Sequence, residues 1–174
     1  EPNDPDEYVM IIIDHLSIIS AEKRNGLQLS LHESISVLTS DYLIKLRNRF
    51  NYIPVVVQQQ AAAQESLDNK KHNKLRPTVD GLADNKLSVR DANVVLGLFS
   101  PFRHEMPEYY GYDVTRLQDK LRFLEIIVSR DGGGGTLCPL YFDGAVNNFK
   151  ELPLSTDVIG MKRVYEFIEQ IPKR

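Results

Sequence analysis

The segment "YVMIIIDH", residues 8 to 15, contains an apolar run that ends on Asp14. A short run rich in β-branched residues predicts a strand buried on both faces, as in a parallel sheet. A second run, "YIPVVV" at residues 52 to 57, leads directly into glutamines at positions 58 to 60. Ligand sites of open α/β sheets lie at the carboxyl ends of the strands, so these polar residues are expected to form a site. The alternative for Asp14 is that it only caps the following turn.

A helix is predicted between these two strands, over residues 33 to 50, because apolar residues recur there at helical spacing. Ser30 and Glu33 have the spacing of a capping box at its start. The order strand, helix, strand indicates a parallel α/β core. Further along the chain the sequence predicts three strands and a C-terminal helix, at residues 92 to 100, 121 to 129, 136 to 142 and 158 to 171. "DGGGG", residues 131 to 135, predicts a hairpin between the last two strands, and hence an antiparallel edge.

Composition favours a single globular domain of 174 residues, with 42% hydrophobic and 26% charged residues. No apolar run has the length of a membrane span, and no segment reads as a signal peptide. The one cysteine, Cys138, fits a reducing compartment, so a cytoplasmic protein is expected. A net charge of −3 gives no global sign of nucleic-acid binding, which would have to use local basic patches.

The order of these segments resembles the C-terminal RecA-like motor of DnaB-type replicative helicases, over roughly residues 8 to 152. The segments that carry the resemblance are "YVMIIIDHLSII", "NYIPVVVQQQ", "VRDANVVLGLF", "LRFLEIIVSRDGGGG" and "LYFDGAVNNFKEL". It implies a RecA-like P-loop NTPase core, a mostly parallel sheet flanked by helices with an antiparallel C-terminal edge hairpin. It also implies ATP hydrolysis with Mg²⁺, coupled to translocation on single-stranded DNA by a hexameric ring, with a primase or a helicase loader as further partners.

The resemblance assigns roles to three residues of the nucleotide site. Asp14 would hold Mg²⁺ through water, and Gln60, with Gln59 as the near alternative, would read out the γ-phosphate. Arg130 is the candidate arginine finger toward a neighbouring subunit. An ungapped match puts Ser129 and Asp131 at the family's Lys and Arg, so Arg130 serves only if the turn shifts by one residue.

The sequence contains no phosphate-binding G-x-x-x-x-G-K-[ST] motif. "GGGG" at residues 132 to 135 is no substitute, because it lacks the lysine and hydroxyl residue and lies between two predicted strands. The expectation is that the P-loop, its strand and the catalytic glutamate precede Glu1, so that the N-terminal part of the fold is missing. This chain alone is then expected to be inactive.

Two basic loops are candidates for contacts with DNA phosphates, since flexible basic segments suit phosphate tracking. The candidate residues are Lys23, Arg24, Lys70, Lys71, Lys74 and Arg76. The alternative is an ordinary solvated charged surface.

Three further features remain open in the sequence. The aromatic cluster at residues 102 to 112 would either stack a base or form a packed excursion or subunit contact. The four histidines show no metal-ligand spacing, so no structural zinc site is expected. Rival readings of the whole chain are a RecA/RadA-type or KaiC-like ATPase, and a non-enzymatic interaction module without a P-loop.

Overall fold

The computed structural model describes residues 4, 7–61, 66, 69, 75–82 and 87–170. The chain divides into two compact units. The first comprises Glu1–Asn69 and Thr78–Ala92, and the second comprises Lys70–Pro77 and Asn93–Arg174.

The first unit is built around one parallel pair of strands, β1 (Met10–Ile13) and β4 (Ile53–Val56). Ile13 lies opposite Val56, so both strands end at the same edge. Between them the chain forms a small hairpin, of β2 (Lys23–Arg24) and β3 (Leu27–Gln28), and then a long helical segment.

The helical segment starts at α1 (Leu31–Val37) and continues through a π-helical stretch, Leu38–Leu43, into α2 (Ile44–Phe50). The predicted capping box is confirmed: the Ser30 hydroxyl accepts from the Glu33 amide at 3.2 Å, and the Ser30 amide donates to the Glu33 carboxylate at 2.8 Å. Asn51, at φ 56°, ends the segment in the left-handed conformation. A short helix, α3 (Leu87–Asp91), also belongs to this unit.

The second unit contains a four-stranded antiparallel sheet in the order β10-β9-β8-β5. The bounds of its strands are Val94–Phe99 (β5), Leu121–Ser129 (β8), Leu137–Asp143 (β9) and Asn148–Glu151 (β10). The predicted hairpin between the strands around residues 121 to 142 is confirmed. A separate small hairpin pairs β6 (Glu108–Tyr109) with β7 (Tyr112–Asp113).

One face of this sheet carries the core of the second unit. Phe123 and Leu121 are fully buried, and they alternate along β8 with half-buried residues as the period of a strand requires. The helices α4 (Val114–Leu117) and α5 (Val158–Glu169) supply Leu117 and Met161 to the same cluster. Short 3₁₀ turns complete the described structure, at Leu16–Ile18, Val79–Gly81, Phe102–His104 and Gln118–Lys120.

The predicted RecA-like core with a mostly parallel sheet is wrong. Among the described strands only β1 and β4 run parallel, and every other pairing is antiparallel. The prediction extended the parallel arrangement from a single strand–helix–strand unit to the rest of the chain. Short connections instead return β8 to β9 and β9 to β10 as neighbouring antiparallel strands.

Burial on both faces was also predicted for the first strand, and this too is wrong. Met10 and Ile12 of β1 are exposed, as is Val55 of β4. On β5, which is an edge strand among the described strands, Leu96 and Leu98 are exposed in the same alternating way. In the part of the chain described, no helix is long and apolar enough to cross a membrane.

Candidate functional site

The carboxyl edge of the parallel strand pair brings together the residues that the sequence singled out first. The Val57 amide donates to the Ile13 carbonyl at 2.9 Å, and the Leu16 amide donates to the Val57 carbonyl at 3.2 Å. These two bonds carry the pairing past the ends of both strands. Asp14 is exposed at this edge, and the glutamines at positions 58 to 60 follow the neighbouring strand.

The three glutamines differ in their surroundings. Gln58 is half-buried, and its side-chain oxygen accepts a hydrogen bond from the Ser88 hydroxyl at 2.9 Å. Gln59 is exposed, as Asp14 is. Gln60 is half-buried and forms an isolated antiparallel bridge with Leu82.

The Gln60 side chain is only partly satisfied. Its amide nitrogen donates to the Thr78 carbonyl at 3.4 Å, while its side-chain oxygen is buried without a hydrogen-bond partner in the described part of the chain. A buried acceptor without a partner typically costs about 1–3 kcal/mol. The Gln60 side chain is therefore held through its amide nitrogen, and its buried oxygen has no donor among the described residues.

His15 also lies at this edge, although its sequence context does not mark it as a site residue. It follows Asp14 directly and is half-buried, and its Nδ1 atom is buried without a partner among the described residues. In the sequence it read as a packed or supporting residue, because successive side chains of a strand point to opposite faces. A single histidine after a strand does not by itself indicate a functional residue.

This edge therefore carries one exposed carboxylate, that of Asp14, together with the imidazole of His15 and the side-chain amides of the glutamines at positions 58 to 60. The described residues contain no group of three or more His, Cys, Asp or Glu side chains able to hold a metal ion. Mg²⁺ is commonly bound through one or two carboxylates, with substrate phosphates and water as its other ligands. Asp14 fits that donor set, whereas a metal held by protein ligands alone does not fit it.

The first candidate DNA loop is an ordered hairpin. Asn25 and Gly26 have φ values of 52° and 79°, as a two-residue hairpin turn requires. Lys23 and Arg24 are both exposed, but Arg24 forms an ion pair of 3.0 Å with Asp41. Lys23 is thus the more available of the two cations for a phosphate.

The second candidate DNA loop is described only at its end. Lys70, Lys71 and Lys74 lie outside the described residues. Arg76 belongs to the second unit, where its guanidinium lies 3.5 Å from the Glu125 carboxylate and 3.4 Å from the Tyr110 hydroxyl. Its charge is therefore already balanced within the protein.

Arg130 also belongs to the second unit, whereas Asp14 and Gln60 belong to the first. It is exposed just beyond β8, and its backbone amide donates to the Asn93 carbonyl at 3.0 Å. The glycine run after it bends back so that the Gly135 amide reaches the Ile126 carbonyl at 2.8 Å. Arg130 therefore stands at the base of a glycine-rich turn, which is where a small shift of register is easiest.

The aromatic excursion is mainly a packed element. Tyr112 is buried and Tyr109 is half-buried, and both rings contact Phe123 edge-on. Burial raises the pKa of Tyr109 to about 12, with the neighbouring Tyr110 and Glu125 adding to the rise. Tyr110, by contrast, is 53% exposed.

Comparison of the chain with known proteins identifies no family. No protein-family model matches it. A search of curated proteins also gives no significant match.

Proposed function

We propose that this chain is part of an ATP-dependent replicative DNA helicase motor of the DnaB type, which moves along single-stranded DNA. The observation that carries the proposal is the shared edge of β1 and β4. There an exposed aspartate and a run of glutamines follow two adjacent parallel strands. Motors that hydrolyse nucleoside triphosphates use this combination to hold Mg²⁺ and to detect the γ-phosphate.

Three residues have roles in the proposed reaction, in which water attacks the γ-phosphate and releases ADP and phosphate. Asp14 holds the water shell of the nucleotide's Mg²⁺, and the metal supplies neutralising charge for the phosphates. Gln60 reports the state of the γ-phosphate through the segment it bonds to, which contains Thr78 and Leu82. Arg130 is proposed to act on the nucleotide of a neighbouring subunit, in a ring that is hexameric by resemblance.

The proposal requires a phosphate cradle outside these 174 residues, because the sequence contains no P-loop. Backbone amides of a glycine-rich loop and one lysine normally supply that cradle. Asp14 alone would bring negative charge toward a polyanion. The isolated chain is therefore expected to bind Mg·ATP poorly, and ATP turnover belongs to the intact protein.

The DNA-binding part of the proposal rests on the basic residues. Lys23 lies exposed on an ordered hairpin, a suitable position for contact with a phosphate backbone. The lysines at positions 70, 71 and 74 add positive charge in one short stretch of sequence. Arg76 contributes less to phosphate binding, because Glu125 balances its charge.

The test is ATP turnover of the intact protein with Asp14→Asn. The change removes the carboxylate charge at an exposed position, so folding should be retained while turnover falls at least about tenfold, or ~1.4 kcal/mol of barrier. Asp119→Asn is the matched control, since Asp119 is an exposed carboxylate of the second unit. Turnover that stays at the wild-type level in Asp14→Asn would refute the assignment.

A non-enzymatic interaction module remains the second candidate, and one observation favours it. Apolar side chains are exposed on strands of both units, among them Ile12 at 63% and Leu96 at 55%. Exposed apolar surface of this kind often marks a protein interface. An intact protein that shows no ATP turnover under any condition, while it retains a protein partner, would support this candidate.

A further inference from the structure

The second unit contains a surface cavity that the proposed motor chemistry does not use. Its volume is about 390 Å³, and it is a shallow depression that is widely open to solvent. Arg76, Met106, Glu108, Tyr109 and Tyr110 line it. The cavity thus combines two aromatic rings, one cation and one anion on a single small surface.

Tyr110 adopts an unusual backbone conformation at this cavity. Its φ is 49°, and it forms the turn of the β6–β7 hairpin together with Gly111 at 78°. Left-handed conformation is uncommon for a bulky residue, and such residues cluster at ligand clamps. The ring is nevertheless half-exposed and held in place: its hydroxyl accepts from Arg76 at 3.4 Å, and Tyr109 contacts it edge-on at 4.7 Å.

The charge of the cavity argues against a phosphate group inside the cavity itself. The Glu125 side chain is only 10% exposed and lies 3.5 Å from the Arg76 guanidinium, and this carboxylate is the main cause of the raised pKa of Arg76. Glu108 adds a second carboxylate at the rim. The cavity therefore has no net positive charge, although guanidinium N–H donors and a carboxylate acceptor remain for a neutral polar ligand.

We propose that this cavity binds a nucleobase, which stacks on the exposed face of Tyr110. Stacking on aromatic rings is the usual way in which proteins hold unpaired bases. Arg76 can donate to acceptors on the edge of the base, and Glu108 can accept from its amino or imino groups. Guanine has both kinds of group, with its O6 and N7 acceptors suited to arginine, so it is expected to bind best.

The base has two possible sources, a free nucleotide or single-stranded DNA. In the second case the cavity would deepen the proposed function, by giving the motor a base contact in addition to its phosphate contacts. In the first case it would be a nucleotide site separate from the edge that carries Asp14.

The test compares variants of the full 174-residue chain against two probes. The probes are deoxyguanosine monophosphate, followed by NMR line shifts, and a labelled guanine-containing single-stranded oligonucleotide, followed by fluorescence anisotropy. Tyr110→Asn removes the ring but keeps a residue that tolerates the left-handed conformation. Tyr110→Phe keeps the ring, and Tyr8→Asn alters an exposed tyrosine of the first unit as the control. Circular dichroism checks that each variant folds.

Tyr110→Asn should weaken binding by about fivefold to a hundredfold, the range found when one stacking ring is removed. The binding affinity of Tyr110→Phe and of Tyr8→Asn should stay within about twofold of wild type, because both variants retain an aromatic ring at position 110. If Tyr110→Asn weakens the binding of both probes, the site accepts the free nucleotide. If it weakens the binding of the oligonucleotide alone, the ligand is a base of single-stranded DNA.

Two results would overturn the proposal: no binding of either probe to the wild-type chain, or unchanged binding in Tyr110→Asn. Glu108→Ala provides an independent measurement, since it should reduce the preference for deoxyguanosine over deoxyadenosine monophosphate. An equal preference before and after this change would contradict the proposed edge contacts. Asp14→Asn should leave base binding intact, so failure of the nucleobase site and failure of the motor assignment are separable.

Discussion

Replacing Gly97 by alanine should destabilise the second unit, although such a change in a strand ordinarily stabilises a protein. A Cβ atom at Gly97 would lie 2.6 Å from the Pro77 Cβ and 2.7 Å from the Ile127 Cδ1. The Ile127 methyl is the end of a flexible side chain and can turn aside. The Pro77 ring is rigid, so the backbone around it must shift.

The magnitude follows from two opposing contributions. Overpacking a well-filled site costs about 1–3 kcal/mol. The lower entropy of the unfolded alanine chain returns about 0.4–1 kcal/mol. Mid-range values of about 2 and 0.7 kcal/mol leave a net loss of about 1.3 kcal/mol, or a fall of roughly 3–5 °C in Tm for a chain of this size.

Urea and thermal unfolding followed by circular dichroism will measure this loss. Gly134→Ala is the matched control, because a Cβ there meets nothing within 4 Å and its backbone is not left-handed. In a double-mutant cycle, Pro77→Gly should reduce the penalty of Gly97→Ala, since it removes the atom that is approached most closely. Equal stability of Gly97→Ala and wild type, or strict additivity in the cycle, would show that Pro77 does not pack over β5.

Three further predictions concern the helix cap, the half-buried Tyr109 and the second basic loop. Ser30→Ala should lower the free energy of unfolding by about 1 kcal/mol in urea denaturation, because the Glu33 amide loses its acceptor; an unchanged midpoint would contradict the cap. The folded-state pKa of Tyr109 is about 12, above the unfolded value of about 10. Its contribution to the free energy of unfolding is therefore present below pH ~10 and is lost as the pH rises toward 12. Tyr109→Phe should remove that part of the decline, and parallel pH–stability curves for the two proteins would refute it. Replacing Lys70, Lys71 and Lys74 together by alanine in the intact protein should weaken the salt dependence of single-stranded DNA binding. The slope of log binding constant against log salt concentration should fall by about 0.7 per lost contact. An unchanged slope would show that these lysines are ordinary solvated surface residues.

Local features of this fold could be predicted from sequence because neighbouring residues determine them. The capping box needs only Ser30 and Glu33, and the hairpin between β8 and β9 needs only a glycine-rich turn between two apolar runs. The small β2–β3 hairpin was predicted as a loop, even though Asn25 and Gly26 form a typical hairpin turn. Its two-residue strands are too short to show an alternating pattern.

Strand partners could not be predicted in the same way, because pairing depends on contacts between distant segments. The run that forms β5 was predicted only as a strand of a mostly parallel sheet, yet it pairs with β8 alone among the described strands, in the antiparallel direction. In the candidate site, Asp14 and the glutamine run lie at the same sheet edge because one strand–helix–strand unit makes β1 and β4 parallel neighbours. This placement could be predicted from the sequence. The pairing of Arg76 with Glu125 could not, since no local pattern links these two residues.

The exposed apolar side chains of β5 also affect how this chain behaves in solution. Val94, Leu96 and Leu98 are exposed on a strand that is at the edge of its sheet among the described strands, with no charged side chain within it. Edge strands of this composition are templates for pairing with other chains, and natural proteins usually protect them with lysine or proline. We therefore expect self-association at high concentration to involve this strand. Leu96→Lys would place a charged side chain on this strand and should reduce its pairing with other chains.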